Sequence, residues 1–423
     1  MANSLLKNLE ELVQDEVITS ETADKITKWY ADQHPPREAR LLAIFGVIGA
    51  ILIGLGLILI VAHNWDAFPR GVKTVWAFVP LILGLAGSAY TLLKRPESVA
   101  MRESSGSFTI LAVGVAISLV SQIYNIEGDL AGFLLTWCLI ALPLVYALKS
   151  NVGALLYIAG ITWYGGEVAY DYPSRIPWLY LPLLCGIIPY YINEVLHRSK
   201  ENGTTFLHWF VVASAVYMLP GFHGEFELLP LAYAALFGVL WQIGALPAMH
   251  KLYLVRNPYR IVGALGTTVM LIICSFKAIW SREMFEALSD YSVISALVLL
   301  VGMAGIVLYR RQKGEEIQSD PMTWIPPALV LMLPLSAVSD VVSAIVVNLI
   351  TVGWGIYMIL HGTARNHLGW LNFGLVTIAV LIVARFFDMN ISYVLRGLLF
   401  VGVGVAFLLF NYRLIQQRKK QSS

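Results

Sequence analysis

Charged residues are scarce in this chain. Asp, Glu, Lys and Arg together make up 13% of its 423 residues, about half the share found in an ordinary soluble domain. Hydrophobic residues reach 58%, and the mean hydropathy is +0.70. A soluble core cannot bury this much apolar surface, so lipid must be the solvent for much of the chain. The composition predicts an all-α fold, a polytopic integral membrane helical bundle.

Cysteines and catalytic motifs are equally sparse. The three cysteines, Cys138, Cys185 and Cys274, lie in apolar segments, which argues against a disulfide framework or a thiolate metal site. HExxH, CxxC, Walker-type and GxSxG patterns are missing, so we predict no catalytic residue, metal or cofactor and favour a non-enzyme. A net charge of +2 without a basic stripe excludes nucleic acid as a partner.

The first 40 residues are polar and differ from the rest. Leucines recur at helical spacing from Leu5 to Leu12, and Thr19 or Ser20 can cap a second helix. No apolar core of a cleavable signal peptide is visible there. This pattern predicts a cytoplasmic helical hairpin that could bind a protein partner. The predicted domains are the hairpin at 1–40, a transmembrane domain at 41–412 and a basic cytoplasmic tail at 413–423.

Fourteen apolar runs have the length of about 20 residues that a membrane crossing needs. The pair within 324–361 is the weakest, because Pro326, Pro327 and Pro334 interrupt its first member; it is either two full spans or a re-entrant pair. The runs are 41–62, 72–93, 106–124, 131–148, 152–168, 177–197, 206–222, 229–246, 259–279, 290–309, 324–338, 341–361, 367–386 and 392–412.

Basic residues are distributed unevenly between the connecting loops. If the N-terminus is cytoplasmic, 22 of the 29 Lys and Arg residues fall on the cytoplasmic side. This asymmetry predicts an even number of spans with both termini in the cytoplasm.

Small residues recur four positions apart in the first and last runs. Gly46, Ala50 and Gly54 share this spacing, as do Gly402 and Ala406. Small residues at such intervals let membrane helices approach closely, so both stretches are predicted packing seams.

Polar and aromatic side chains gather in the short loops of the predicted outer face. Acids for hydrogen bonding beside aromatic rings would suit a sugar-like, cationic or amphiphilic ligand. The candidate ligand-binding or gating residues are His63, Asn64, Asp66, Gln122, Tyr124, Asn125, Glu127, Asp129, Arg385 and Asp388.

These residues also have structural interpretations. Asn64 and Asp66 can bond the backbone of a turn. Gln122 lies at the end of an apolar run, where an unpaired amide is costly unless it bonds another helix. Arg385 lies within helical reach of Asp388 and can lock the outer end of its helix with an ion pair; a gate or anion contact is the functional alternative.

Several stretches resemble a known bacterial family, the predicted membrane proteins called domain of unknown function 2157. The resemblance rests on 48–56 (IGAILIGLG), 62–69 (AHNWDAFP) and 122–129 (QIYNIEGD), with weaker likeness around Arg385. It is close over residues 1–150. The resemblance implies a multi-pass protein of the bacterial inner membrane and implies no activity. The family often has Ala where this chain has His63, which argues against a required histidine.

Three functions are compatible with this sequence. The first is transport or handling of a polar or lipid-linked substrate through an outward-facing cavity, on which the regions of Asp66, Glu127 and Arg385 should converge. The second is a membrane scaffold or sensor that binds a partner through its N-terminal hairpin. A glycosyl-transfer enzyme ranks last, because no outer loop is large. Membrane lipids are expected partners in each case.

Overall fold

The computed structural model describes most of the chain between residues 65 and 388. It forms two compact units, Met1–Trp76 and Ala77–Ser423. The described residues are 9, 12–15, 17–33, 65–171, 175–199, 201–223, 228–250, 252–280, 292–315, 320–365, 367–388, 394, 397–398, 401–402 and 404–405.

In the first unit, helix α1 (Ser20–Gln33) begins where the capping pattern predicts. The amide of Thr22 donates to Oγ1 of Thr19 at 3.3 Å, which satisfies one free donor of the first turn. Leu9 is buried and Leu12 is exposed. The first helix of the predicted hairpin lies mostly outside the described residues, so the hairpin and its partner-binding role stay predictions.

The other helices of at least 12 residues follow in chain order, and no strand occurs in the described ranges. They are α2 (Arg70–Lys94), which begins in the first unit, α3 (Val99–Tyr124), α4 (Leu130–Leu148), α5 (Asn151–Tyr170), α6 (Tyr180–Arg198), α7 (Asn202–Met218), α8 (Leu229–Gly244), α9 (Pro258–Cys274), α10 (Ser292–Gln312), α11 (Ile325–Ser336), α12 (Asp340–Ala364) and α13 (Leu368–Asp388).

Twelve of the fourteen predicted runs coincide with helices, and the runs 41–62 and 392–412 lie wholly or mostly outside the described residues. Seven of the described helices are long and apolar enough to cross a membrane, and three more are apolar but shorter. The all-helical membrane character is confirmed, whereas the count of fourteen spans is not. Helix α11 has 12 residues and is about 18 Å long, well short of the bilayer core of about 30 Å.

The described residues of the second unit form four apolar clusters, of which two are the largest. The first lies between α4, α5, α6 and α7, around Leu134, Tyr157 and Ile161. The second lies between α8, α9, α11 and α12, around Trp241 and Leu271. Helices α7 and α9 pack against each other and connect the two clusters.

Candidate functional site

A groove of about 1120 Å³ runs between α2, α3 and α4. Four of the predicted site residues line it together: Gln122, Asn125, Glu127 and Asp129. We call these four residues the polar rim. Tyr124 is half exposed and lies beside the rim, but it is not part of the groove lining.

The chain between α3 and α4 fixes the shape of the rim. Asn125 adopts the left-handed conformation with φ 50° and ends α3, a position that asparagine tolerates better than most residues. Asp129 begins α4, because its Oδ1 accepts from the amide of Gly132 at 2.8 Å. Ser121 donates to the carbonyl of Ile126 at 3.0 Å. Asn125 and Asp129 therefore have structural roles in addition to any contact with a ligand.

No contact with a described residue gives Gln122 or Glu127 such a structural role. The side chain of Gln122 is exposed and makes no hydrogen bond to a described residue. Because the predicted spans 41–62 and 392–412 lie wholly or mostly outside the described residues, a bond from Gln122 to another helix stays a prediction. Glu127 is also exposed and likewise has no partner in the described part of the chain. Both side chains are available to a molecule in the groove.

Below the rim, the groove walls are mostly apolar, with Ser118 and Thr136 also among the lining residues. Helix α2 contributes Phe78, Leu81 and Leu85, and α4 contributes lining residues from Gly132 to Leu144. The twelve helical steps from Gly132 to Leu144 correspond to about 18 Å along α4. The groove thus joins a polar end to a long apolar channel.

Two contacts hold the three helices in place around the groove. The indole of Trp137 on α4 donates to the carbonyl of Ile110 on α3 at 2.7 Å. The hydroxyls of Ser88 on α2 and Thr109 on α3 lie 2.8 Å apart, beyond the deepest lining residue of α2. Because these bonds join all three walls, the groove is built into the helix packing.

Arg385 lies elsewhere, beside the segment that follows α9. Its guanidinium carbon is 4.2 Å from the ring centre of Phe276, and Nη2 donates to Oγ of Ser275 at 3.0 Å. Arg385 is not among the groove-lining residues, so the structure does not bring it together with Glu127.

The other predicted site residues remain untested. His63 and Asn64 lie outside the described residues, as do the side chains of Asp66 and Asp388. The convergence on Asp66 and the ion pair between Arg385 and Asp388 therefore stay predictions. Within the described ranges, no group of three His, Cys, Asp or Glu side chains could hold a metal ion.

Sequence reasoning did not find the α2 wall of the groove. Phe78, Leu81 and Leu85 follow helical spacing, which places them on one face. In a helix that is apolar throughout, however, this stripe has no polar face to contrast with, so the sequence gives no sign that it borders a cavity.

The apolar helices define a helical membrane protein. Residues 10–154 match the model of a family described as "Predicted membrane protein (DUF2157)", which confirms the resemblance over that segment. All residues that line the groove fall within it. No curated protein and no solved structure matches the chain, and the family description specifies no activity.

The cap on α4 gives a direct test of the structural role of Asp129. Replacing Asp129 with Ala should lower the unfolding free energy by about 1 kcal/mol, because Gly132 loses its acceptor. Asp129→Asn should be nearly neutral, since Asn caps as well as Asp. Thermal unfolding in detergent measures both values. Equal destabilisation by the two substitutions would contradict this role.

Proposed function

We propose that the protein is a multi-pass protein of the bacterial inner membrane that binds an amphiphilic substrate in the groove and handles or transports it. The observation that carries the proposal is the direct continuity of the polar rim with the apolar walls. In this proposal both termini are cytoplasmic, as the distribution of basic residues favours. The rim then lies at the outer surface and the groove extends inward from it.

The chemistry of the rim selects the head group. An ionised carboxylate accepts hydrogen bonds and donates none, and one oxygen of Asp129 is already engaged by Gly132. Glu127 and Asp129 therefore favour a head with ammonium or hydroxyl donors. A head that carries only negative charge would be repelled by both groups.

The dimensions of the groove fit the tail. The walls extend along α4 for about 18 Å, which slightly exceeds half of a bilayer core of about 30 Å. An acyl chain from one leaflet can therefore lie along the groove with its head at the rim. The groove volume of about 1120 Å³ is at the upper limit of ordinary ligand pockets, about 1,000 Å³.

The test compares three dodecyl amphiphiles that differ in their heads: an ammonium, a glucoside and a phosphate. Native mass spectrometry measures how much of each the purified protein retains. The wild-type protein should retain the ammonium and glucoside forms more strongly than the phosphate. Glu127→Gln should weaken retention of the ammonium form by about threefold to tenfold, which corresponds to about 1 kcal/mol for one partly exposed ion pair.

Two further variants make this experiment specific. Glu97 is an exposed acid in the turn between α2 and α3, outside the groove, so Glu97→Gln should behave as wild type. Thr136 is an exposed lining residue, and Thr136→Trp should fill the groove and reduce retention of all three amphiphiles. Retention independent of the head group, or unchanged in Thr136→Trp, would overturn the proposal.

A further inference from the structure

A second cluster of chemistry-bearing residues lies where α8, α9, α10, α12 and α13 meet, far along the chain from the groove. Three tryptophans form its core. The ring centres of Trp241 and Trp354 are 6.0 Å apart, and those of Trp241 and Trp370 are 5.9 Å apart. Trp241 and Trp354 are buried, whereas Trp370 is half-buried. We call this group the tryptophan cluster.

Arg260 lies on this cluster and forms no ion pair with a described residue, although the charge of Asp320 acts on it from a longer distance. Its guanidinium carbon is 4.3 Å from the ring centre of Trp241, a cation–π contact. Its guanidinium nitrogens make no hydrogen bond or ion pair with any described residue. None of these nitrogens is sealed from solvent. Arg260 thus offers a half-buried charge, and none of its five donors is used by a described residue.

The neighbouring carboxylates are already occupied. Asp320 accepts from the indole nitrogen of Trp241 at 2.9 Å and from the amide of Met322 at 3.1 Å, and Nη1 of Arg310 lies 3.9 Å from it. Glu315 accepts from Nε of Arg310 at 2.7 Å. Arg310 also donates to Gln242. The two acids therefore serve Arg310 and Trp241, and neither forms an ion pair with Arg260.

The local charge is positive. The charges of Arg310, Arg365 and Asp320 all act on Arg260. Among the described residues, Glu315 and Asp320 are the acids that pair with Arg310. His361 lies next to the cluster, with its ring 5.4 Å from that of Tyr357. Among the described residues, three guanidinium groups against two carboxylates leave a net positive charge. A half-buried charge normally has a partner.

We propose that Arg260 binds a phosphate-type oxyanion at the tryptophan cluster. A planar guanidinium matches the oxygens of a phosphate with two parallel hydrogen bonds, and the stacked indole of Trp241 holds its plane in place. Arg365 and His361 add charge or donors beside it. The same chemistry is found in the head group of an anionic phospholipid and in free phosphate, and the test separates these two sources.

The test measures the unfolding temperature of the full chain in phosphatidylcholine nanodiscs. One arm adds phosphatidylglycerol to the nanodisc, and the other adds inorganic phosphate against chloride at equal ionic strength. We expect at least one addition to raise the unfolding temperature of the wild-type protein. Arg260→Gln should weaken the corresponding binding about tenfold, as expected for a charge-assisted hydrogen bond.

Arg311→Gln is the matched control, because Arg311 is exposed at the same end of α10 and has no partner among the described residues. Arg311→Gln also removes one positive charge, but the added lipid or phosphate should raise its unfolding temperature as much as it does for the wild-type protein. Arg260→Lys keeps the charge but loses the paired donors, and it tests binding if the Gln variant does not fold. A shift with the lipid alone identifies a head group, and one with phosphate alone identifies a soluble ligand. No shift in the wild type, or equal shifts in Arg260→Gln and Arg311→Gln, would overturn the proposal.

Discussion

Replacing Gly374 with Ala should destabilise the protein by about 3 kcal/mol, the upper range for overpacking a tight contact. Gly374 lies on α13, where a Cβ atom would be 2.5 Å from the carbonyl oxygen of Gly355 and 2.8 Å from the amide nitrogen of Ile359 on α12. Both of these are backbone atoms, so no side-chain rotation can relieve the clash. The two helices would have to separate along their length.

Gly362 offers a second test of the same seam. A Cβ atom there would lie 2.8 Å from Cα of Leu371, again a backbone atom, so Gly362→Ala should be similarly destabilising. The control is Gly353→Ala on α12, because Gly353 is exposed and a Cβ atom there meets nothing within 4 Å. This substitution should be neutral or stabilising by up to about 1 kcal/mol through helix propensity. Similar unfolding temperatures for Gly374→Ala and Gly353→Ala would contradict the close approach of α12 and α13.

This seam shows why sequence spacing finds only part of the helix packing. A search for small residues four apart predicts seams in 41–62 and 392–412, which lie wholly or mostly outside the described residues. Gly355 and Gly362 are seven apart on α12 and meet α13 at two separate turns. Seven residues return a helix to nearly the same face, but the partner across the seam is a property of the fold and not of either helix.

The positions of the apolar helices could be predicted from the sequence, because hydrophobic length alone determines them. Whether each helix is long enough to cross the membrane could not be predicted. Pro326 and Pro327 open α11 and Pro334 lies inside it, and the resulting helix is 12 residues long. Proline indicates an interruption in a helix but does not determine whether the flanking residues form a full membrane span or a shorter helix.

The residues of the polar rim could be predicted from the sequence, whereas the site at Arg260 could not. The polar rim runs from the last turn of one helix to the start of the next, so sequence proximity places its residues together. The site at Arg260 joins residues from five helices. Along the sequence, Arg260 is only one more basic residue at the start of an apolar run, and Trp241 is only an aromatic residue at a helix end. Their contact depends on tertiary packing, and no local pattern indicates it.

Replacing Glu103 with Ala should also destabilise the protein by about 3 kcal/mol, because several buried groups lose their partner. Glu103 lies on α3, and its carboxylate accepts from Oγ of Ser150 at 2.7 Å and from the amides of Asn151 and Val152 at 2.9 and 2.8 Å. These groups form the start of α5, where free backbone donors and the helix dipole favour a negative charge. Ser150 and Asn151 are buried, so water cannot easily replace the carboxylate.

The loss should extend beyond α5. The side-chain amide of Asn151 donates to Glu194 on α6 at 3.1 Å and accepts from the hydroxyl of Tyr190 at 2.9 Å. Asn151 on α5 thus bonds both Glu103 on α3 and two residues of α6, so Glu103 helps to hold these three helices together. Because such networks are cooperative, hydrogen exchange at the amides of Asn151 and Val152 should accelerate together with the fall in unfolding temperature.

Two comparisons separate this cap from a general effect of charge. Glu103→Gln keeps one carbonyl acceptor and should lose only about 1 kcal/mol. Glu97→Ala removes an exposed acid from the turn before α3 and should change stability by less than about 0.5 kcal/mol. If exchange at Asn151 and Val152 stays slow in Glu103→Ala, another group must satisfy these amides, and α5 would not depend on α3 for its first turn.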